Sequence, residues 1–205
     1  NVRELLGKRM LFFDGGMGSM LQKTVWVRVK FPNFKLTNAA LIEKIHTEYL
    51  EAGANIITTN TFGANPLKSE EIGESLDMII AAAIGIARKA VNSFQSEENP
   101  RFVAFDIGPC GKLLEPLGDL SFDDCYDAFA KIAKTAEKCG ADLVIIETMS
   151  DTLEAKAAVL AEGKHFTPYF LYNDVDESYK TLTGGDVKVM SAIMEGLGVD
   201  CVGIN

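Results

Sequence analysis

The sequence predicts an α/β fold in which helices cover a parallel β-sheet, and two observations predict it. First, three segments share one sequence pattern, in which an amphipathic stretch ends at a glycine and a run of β-branched residues follows. They begin at Gly53, Gly140 and Gly198. Glycine suits the left-handed position just past a helix, and an apolar run suits a strand buried on both faces. Second, helical and strand-like segments alternate along the chain, which is typical of parallel sheets.

Six strands are predicted, and a polar residue follows each one. The strands are Met10–Phe13, Ile56–Thr59, Phe102–Phe105, Leu143–Ile146, Tyr169–Tyr172 and Cys201–Ile204, and the polar residues are Asp14, Asn60, Asp106, Glu147, Asn173 and Asn205. An open doubly wound sheet concentrates its ligand groups at a switch point, whereas here nearly every strand end carries one. The pattern therefore favours a (β/α)8 TIM barrel, whose active site collects side chains from many strand ends. A closed barrel has eight strands, so we expect one domain over residues 1–205, truncated after about six strands and incomplete at its C-terminus.

Helices are predicted between these strands from apolar spacing and capping residues. The first begins at a cap on Thr37 or Asn38, and its His46 is expected on the surface or flank of the helix. Ser121 followed by Asp124 resembles a capping box, and the helix that it begins is expected to end at Gly140. The remaining predicted helices are Leu76–Ser93, Thr152–Glu162 and Asp186–Leu197.

Composition argues against several classes of partner. Twenty basic and 29 acidic residues give a net charge of −9 with no basic stripe, which argues against nucleic acid. The longest apolar run, Met78–Ala87, is ten residues and too short to span a bilayer, so no membrane partner is expected. Four cysteines without a C-x-x-C pair indicate reduced thiols, and hence a cytoplasmic protein. Cys125, Cys139 and Cys201 are expected to pack in the core. Neither these cysteines nor the two histidines have metal-ligand spacing, so no metal ligand is predicted.

Polar strand ends provide the candidate site residues. Asp14 is followed by Gly15 and Gly16, which places a carboxylate beside exposed backbone N–H groups that together suit a zwitterion. The alternative is a tight turn capped by Asp14. Glu147 ends an apolar strand, where a carboxylate is costly without a partner or a wet cleft. Asn60 and Thr61 add hydrogen-bonding side chains at another strand end.

At these segments the chain resembles the homocysteine S-methyltransferase family, and most of all the N-terminal homocysteine-binding domain of its cobalamin-dependent members. The matching motifs are Asp14–Gly18, Glu51–Ala64, Asp106–Pro109, Ile146–Asp151 and Val202–Asn205. The resemblance implies a TIM barrel that binds homocysteine on a zinc ion held by three cysteine thiolates. One of these cysteines follows the Gly-Ile-Asn strand and two form a later adjacent pair, so the zinc ligands are expected beyond Asn205 and no metal ligand or catalytic residue is carried over to this chain.

The resemblance does carry over an amino-acid pocket. Asp14 and Glu147 resemble the family's ligands for the homocysteine ammonium, and Gly15 resembles a backbone donor near the substrate carboxylate. Asn60 and Thr61 occupy the family's second strand end. The implied reaction is attack of a zinc-activated homocysteine thiolate on a methyl group, which gives methionine. The implied methyl donor is methylcobalamin charged by 5-methyltetrahydrofolate and carried by other modules, so this chain alone is expected to be inactive.

Other interpretations stay open. Within the family, the methyl donor could be betaine or S-methylmethionine. Outside it, the chain could be a zinc-free, non-catalytic amino-acid-binding fragment, or an unrelated barrel lyase or aldolase. A Schiff-base enzyme would want a lysine at a strand end, and none of the six has one. Two segments depart from the family pattern: Val25–Phe31, which alternates like an exposed strand, and Glu162–Asp176, which makes the fifth strand the least secure.

Overall fold

The computed structural model describes residues 2–24, 38–71, 75–163, 168–172, 180–181 and 183–204. Five strands form one sheet: β1 (Ile56–Thr58), β2 (Phe102–Ile107), β3 (Leu143–Met149), β4 (Pro168–Tyr172) and β5 (Cys201–Ile204). The α-helices of these ranges are α1 (Met17–Thr24), α2 (Ala39–Glu51), α3 (Leu76–Asn92), α4 (Phe122–Lys138), α5 (Thr152–Glu162) and α6 (Val187–Leu197). Short 3-10 helices cover Val2–Glu4 and Pro66–Glu71. The predicted exposed strand Val25–Phe31 and the strand-end residues Asn173 and Asn205 lie outside the described residues.

All neighbouring strands are parallel, and their order in the sheet is the order of the chain, β1-β2-β3-β4-β5. A doubly wound sheet reverses its strand order at a switch point, and the described strands contain no such reversal. The predicted parallel α/β architecture is therefore confirmed. No helix in the described ranges is long and apolar enough to cross a membrane.

The first predicted strand, Met10–Phe13, is wrong as a strand. Only Phe13 pairs with Ile56, as an isolated parallel bridge. The physical reason is Asn55, because its backbone N–H and that of Ile56 both donate to the carbonyl of Phe12, at 2.7 and 3.0 Å. The Asn55 side chain also accepts from the Phe12 N–H at 3.2 Å, so these bonds replace a regular ladder. The segment still runs along the edge of β1 and delivers Asp14 to its carboxyl end.

The predicted joints between helices and strands are confirmed. Gly53, Gly140 and Gly198 have φ angles of 109°, 83° and 82°, in the positive region that glycine adopts without strain. Ser121 caps α4 and accepts from the Asp124 N–H at 3.1 Å. Helix α1 was not predicted, because a glycine-rich segment with one polar serine gave no clear apolar face.

Two strands run further than predicted, which changes the position of two polar residues. β2 continues to Ile107 and β3 to Met149. Asp106 and Glu147 therefore lie within the last three residues of their strands rather than after them. The pairing of β3 with β4 shifts between Ile146 and Met149, and Thr148 between them has a φ of 59°. This irregularity lies directly beside Glu147.

The core has two parts that contact the sheet, one on each face, and a third cluster of Leu21, Ile42 and Ile45 lies between α1 and α2. On one face, alternate strand residues such as Ile57, Phe105 and Ile146 pack against the helices. On the other, Ile56, Ala104 and Ile145 form a smaller cluster with Val2. The expected surface position of His46 is wrong, because its side chain is fully buried. His46 lies one turn from both Ile42 and Leu50, which place it on the packed face of α2.

Candidate functional site

Asp14 lies at the carboxyl end of β1 and is bonded to that strand in two ways. Its backbone N–H donates to the carbonyl of Ile56 at 2.9 Å. Its carboxylate oxygen Oδ2 accepts from the backbone N–H of Thr58 at 3.0 Å, and the Thr58 side chain also bonds it. The carboxylate is thus held in one orientation by backbone geometry rather than by a charged partner.

Glu147 on β3 faces the same region. Burial raises the pKa of Asp14 to about 7, against hydrogen bonds from Thr58 that lower it, and the negative charge of Glu147 raises it further. Burial also raises the pKa of Glu147. Asp14 and Glu147 are 133 positions apart in the sequence, yet their carboxylates are near enough to interact electrostatically.

Among the described residues, neither carboxylate has a cation beside it. The ion pairs among the described residues involve Asp200, Glu48, Asp142 and Glu43, and not Asp14 or Glu147. Two half-buried carboxylates that repel one another gain most from a bound positive charge, because it offsets both the repulsion and the lost hydration. The arrangement is therefore chemically suited to a ligand ammonium group.

Tyr49 of α2 packs against the glycine turn that follows Asp14. Its hydroxyl donates to the carbonyl of Gly16 at 3.4 Å. A methyl group added to Gly15 would lie 2.8 Å from the same hydroxyl oxygen, so glycine allows the phenol to contact the backbone directly. Burial raises the pKa of Tyr49, and the charge of Asp14 adds to that shift. Gly15 itself is exposed.

Asn60 and Thr61, the other predicted site residues, have different surroundings. The Asn60 side-chain nitrogen Nδ2 is buried and has no hydrogen-bond partner among the described residues. The Thr61 hydroxyl, in contrast, donates to the carbonyl of Asp106 at 2.8 Å and lies 2.7 Å from the hydroxyl of Thr59. Thr61 thus ties the loop after β1 to β2, whereas Asn60 keeps an unused donor.

Sequence reasoning missed two contributors to this site, Thr58 and Tyr49. Thr58 lies within the predicted strand Ile56–Thr59 and has no separate prediction, although it bonds Asp14 through both its backbone and its side chain. Tyr49 lies on the apolar face of its helix and packs there against core residues, so its pattern predicts a structural position. One sequence signal could have pointed to Tyr49. It is a tyrosine, with a polar hydroxyl, on the apolar face of the helix directly before a strand that ends in polar residues.

The described part of the chain contains no group of three or more His, Cys, Asp or Glu side chains that could hold a metal ion. Cys110 and Cys125 are both buried, Cys139 is the C-cap of α4 and Cys201 begins β5. The predicted core position is confirmed for Cys125, whereas Cys139 and Cys201 are only partly buried.

Comparison with known proteins adds a family. The family described as homocysteine S-methyltransferase matches residues 11–205. Methionine synthase from Mycobacterium leprae is 32% identical over 221 aligned residues, and the one from Mycobacterium tuberculosis is 31% identical. Both alignments cover all of this chain but only 18% of the relative's length.

A solved structure with the same fold is the homocysteine methyltransferase MmuM from Escherichia coli, in its oxidised form. The two structures superpose with a TM-score of 0.86, and the superposition covers all of this chain and 76% of the MmuM chain. At 22% identity this similarity concerns the fold alone.

Proposed function

This chain belongs to the homocysteine S-methyltransferase family, and we propose that it is the homocysteine-binding part of a methyltransferase that methylates the homocysteine sulfur to give methionine. One observation carries the proposal: the carboxylates of Asp14 and Glu147 lie near one another at the carboxyl end of the sheet. Neither forms an ion pair with any of the described residues. They would bind the ammonium group of homocysteine.

Binding of an ammonium group would change the charge state of Asp14. Because burial raises its pKa to about 7, this carboxyl group is partly protonated at neutral pH in the free protein. A bound cation favours the ionised form, so Asp14 would release its proton as the ligand binds. The bonds from Thr58 hold the carboxylate in place meanwhile, which limits the entropy lost on binding.

The carboxylate of the same ligand would meet hydrogen-bond donors. Gly15 is exposed and free of a side chain, and its backbone N–H is the proposed donor. The buried Nδ2 of Asn60, two residues along the chain from Thr58, is a second donor that gains a partner on binding. For Thr61 we propose an indirect role, because its hydroxyl is already bonded to the loop and to β2.

The described residues do not fit a zinc ion, because no set of three suitable side chains lies together among them. Following the family resemblance, we propose that the zinc ligands lie beyond Asn205 and that the strands described here are part of an eight-stranded barrel. The sequential, unreversed order of the five strands supports the latter. The domain would then span residues 1–205 and continue past them, in a cytoplasmic protein.

For the methyl donor we propose methylcobalamin charged by 5-methyltetrahydrofolate, held by other modules of a longer protein. The similarity to two methionine synthases of which this chain spans 18% supports this choice. Betaine and S-methylmethionine are the alternative donors. A zinc-free fragment that only binds an amino acid is the alternative outside enzymes.

The test uses the full-length protein loaded with zinc. Homocysteine is titrated first, and methionine formation is then measured with methylcobalamin, betaine or S-methylmethionine as donor. The proposal predicts saturable binding of homocysteine and methionine formation with methylcobalamin. Methionine formed with betaine or S-methylmethionine alone would overturn the donor assignment, and homocysteine binding without any turnover would favour the non-catalytic alternative.

A further inference from the structure

A closed ring of hydrogen bonds joins the loop after β1 to β2. The backbone N–H of Asp106 donates to the hydroxyl oxygen of Thr59 at 3.1 Å, and the hydroxyl group of Thr61 donates to the carbonyl of Asp106 at 2.8 Å. The two hydroxyl oxygens are 2.7 Å apart. All three bonds are buried, and the relative exposures of Thr59 and Thr61 are both 1%. The ring therefore lies inside the protein rather than on its surface.

The direction of each bond in the ring can be assigned. A hydroxyl group has one proton to donate, and the proton of Thr61 is already donated to the carbonyl of Asp106. Thr59 must therefore be the donor between the two hydroxyl groups. Removal of either hydroxyl group would take a partner away from two buried polar groups, which is costly.

The ring continues the attachment of β1 to β2 beyond the end of their pairing. The last residue pair of these strands is Thr58 with Ala104, and Asp106 lies two residues further along β2. Threonine hydroxyl groups thus bond the backbone of Asp106 where a longer β1 would have done so. A methyl group added to Gly108 would lie 2.6 Å from the carbonyl oxygen of Phe62, so the next residue of the loop also packs closely against the end of β2.

Asn60 lies between the two threonines, in the middle of a tight turn. The backbone N–H of Thr61 donates to the carbonyl of Thr59 at 2.7 Å, which closes a three-residue turn around Asn60. The residues on both sides of Asn60 are therefore fixed to β2 and to one another. The side-chain nitrogen Nδ2 of Asn60 is buried and has no hydrogen-bond partner among the described residues. A buried amide donor is costly unless a ligand or water binds it.

We propose that Thr59 and Thr61 are positioning residues, whose hydroxyl groups hold Asn60 where its amide donates to the carboxylate of the ligand. The inference rests on the homocysteine-binding function proposed above, and it adds how the ligand carboxylate is selected. Asn60 follows Thr58 by two residues, and the backbone N–H of Thr58 bonds the carboxylate of Asp14 at 3.0 Å. The ring thus sets the position of the amide relative to Asp14. A donor that is held in place before binding loses little entropy when the ligand arrives.

The test is a double-mutant cycle on the zinc-loaded full-length protein, with homocysteine affinity as the readout. Thr61→Val is similar in shape but lacks the hydroxyl group, and Asn60→Ala removes the amide. We expect Thr61→Val to weaken homocysteine binding by about three- to tenfold, as for the loss of one hydrogen bond. In the Asn60→Ala background, the same substitution should change affinity by less than about twofold. Losses that simply add would overturn the inference, because Thr61 would then act independently of Asn60.

Homocysteamine separates positioning from a general loss of structure. It has the ammonium and thiol groups of homocysteine but no carboxylate, so the Asn60 amide has nothing to bind. Thr61→Val should therefore bind homocysteamine as the wild type does, and a loss equal to the loss for homocysteine would contradict the inference. The double-mutant cycle decides alone if homocysteamine binds too weakly to measure. A wild-type protein that binds no homocysteine would instead overturn the function proposed above.

Three further variants complete the experiment. Thr61→Ser keeps the hydroxyl group and should bind homocysteine nearly as tightly as the wild type, whereas binding as weak as that of Thr61→Val would overturn the inference. Thr135→Val is the matched control, because the hydroxyl group of Thr135 bonds the exposed carboxylate of Asp77 and joins two helices. It should leave the affinity for both ligands unchanged. Urea denaturation identifies a variant that does not fold, and Thr59→Val then replaces Thr61→Val in the cycle with the same expected result.

Discussion

The two ends of the parallel sheet treat their charged side chains in opposite ways. At the amino end, Asp142 accepts from Arg88 at 2.7 Å and from the backbone N–H of Val103 at 2.7 Å. Close by, buried Arg101 donates to the carbonyls of Gly53 and Ala54. At the carboxyl end, Asp14 and Glu147 interact with one another, and the pKa of each is raised.

The difference separates charges that stabilise the fold from charges that are available to a ligand. The paired carboxylate of Asp142 links the residue before β3 to Val103 of β2, and its bonds contribute to the free energy of unfolding of the free protein. An unpaired carboxylate costs stability in the free protein and recovers that cost only when a cation arrives. The amino end is therefore structural, and we expect the carboxyl end to be functional. Matched aspartate-to-asparagine changes at the two ends test this contrast.

The largest expected effect is on ligand binding at the carboxyl end. Asp14→Asn, and separately Glu147→Gln, should weaken homocysteine binding by about 1.5–3 kcal/mol, because each would remove the charged hydrogen bond that we propose to the ammonium group. Calorimetric titration of the zinc-loaded full-length protein measures the change. Glu43→Gln is the matched control for Glu147→Gln, because Glu43 pairs with the exposed ammonium group of Lys89, and its loss should leave homocysteine affinity unchanged. Unchanged affinity in both site variants would remove the assignment.

At the amino end, the same chemical change should act on stability instead. Asp142→Asn keeps an acceptor for Val103 but loses the charge that pairs with Arg88, so the free energy of unfolding should fall by about 1–2 kcal/mol. Homocysteine affinity should stay at the wild-type value. Urea denaturation followed by circular dichroism measures the first quantity. A loss of affinity comparable to that of Asp14→Asn would break the distinction between the two ends.

The stability of Asp14→Asn should change in the opposite direction, and with pH. A carboxyl group whose pKa is raised from 3.8 to about 7 stabilises the folded state fully below pH 3.8, and this contribution is lost as the pH rises through 7. The asparagine variant lacks this loss, so near pH 8 it should be more stable than the wild type, by about 1 kcal/mol for a half-exposed group. Denaturation curves at acidic and alkaline pH give the difference, which should shrink or reverse on acidification. A variant less stable than the wild type at alkaline pH would mean that Asp14 is a structural cap.

The smallest expected effect concerns Tyr49. Tyr49→Phe removes the 3.4 Å bond to Gly16 but keeps the ring over Gly15, so homocysteine affinity should fall by about 0.5 kcal/mol at most. Tyr49→Ala also removes the ring and should weaken binding further, because the glycine turn loses its support. Titration of both variants separates packing from hydrogen bonding. If Tyr49→Phe binds as weakly as Tyr49→Ala, the hydroxyl rather than the ring supports the site.

The contrast between the ends also explains what the sequence could and could not predict. Gly53, Gly140 and Gly198 predicted where helices end and strands follow, because the preference of glycine for a positive φ is a property of the residue itself. Asp14 and Glu147 could be predicted as site residues because a carboxylate next to an apolar strand loses hydration unless it has a partner. The bonds from Thr58 to Asp14 have no local signal, since they depend on how the segment before α1 lies along β1. The burial of His46, in contrast, has a signal in the sequence, because His46 lies one helical turn from both Ile42 and Leu50 on the packed face of α2.

Proton release on ligand binding tests the central claim most directly. The ligand is L-methionine, which carries the ammonium and carboxylate groups of homocysteine but no ionisable thiol, and its binding enthalpy is measured in buffers with different ionisation enthalpies. If Asp14 receives the ammonium group, its raised pKa predicts release of a large part of one proton near pH 6 and almost none above about pH 8. Asp14→Asn should abolish most of this release. Binding enthalpies that do not depend on the buffer, or a proton release that is unchanged in Asp14→Asn, would contradict the account.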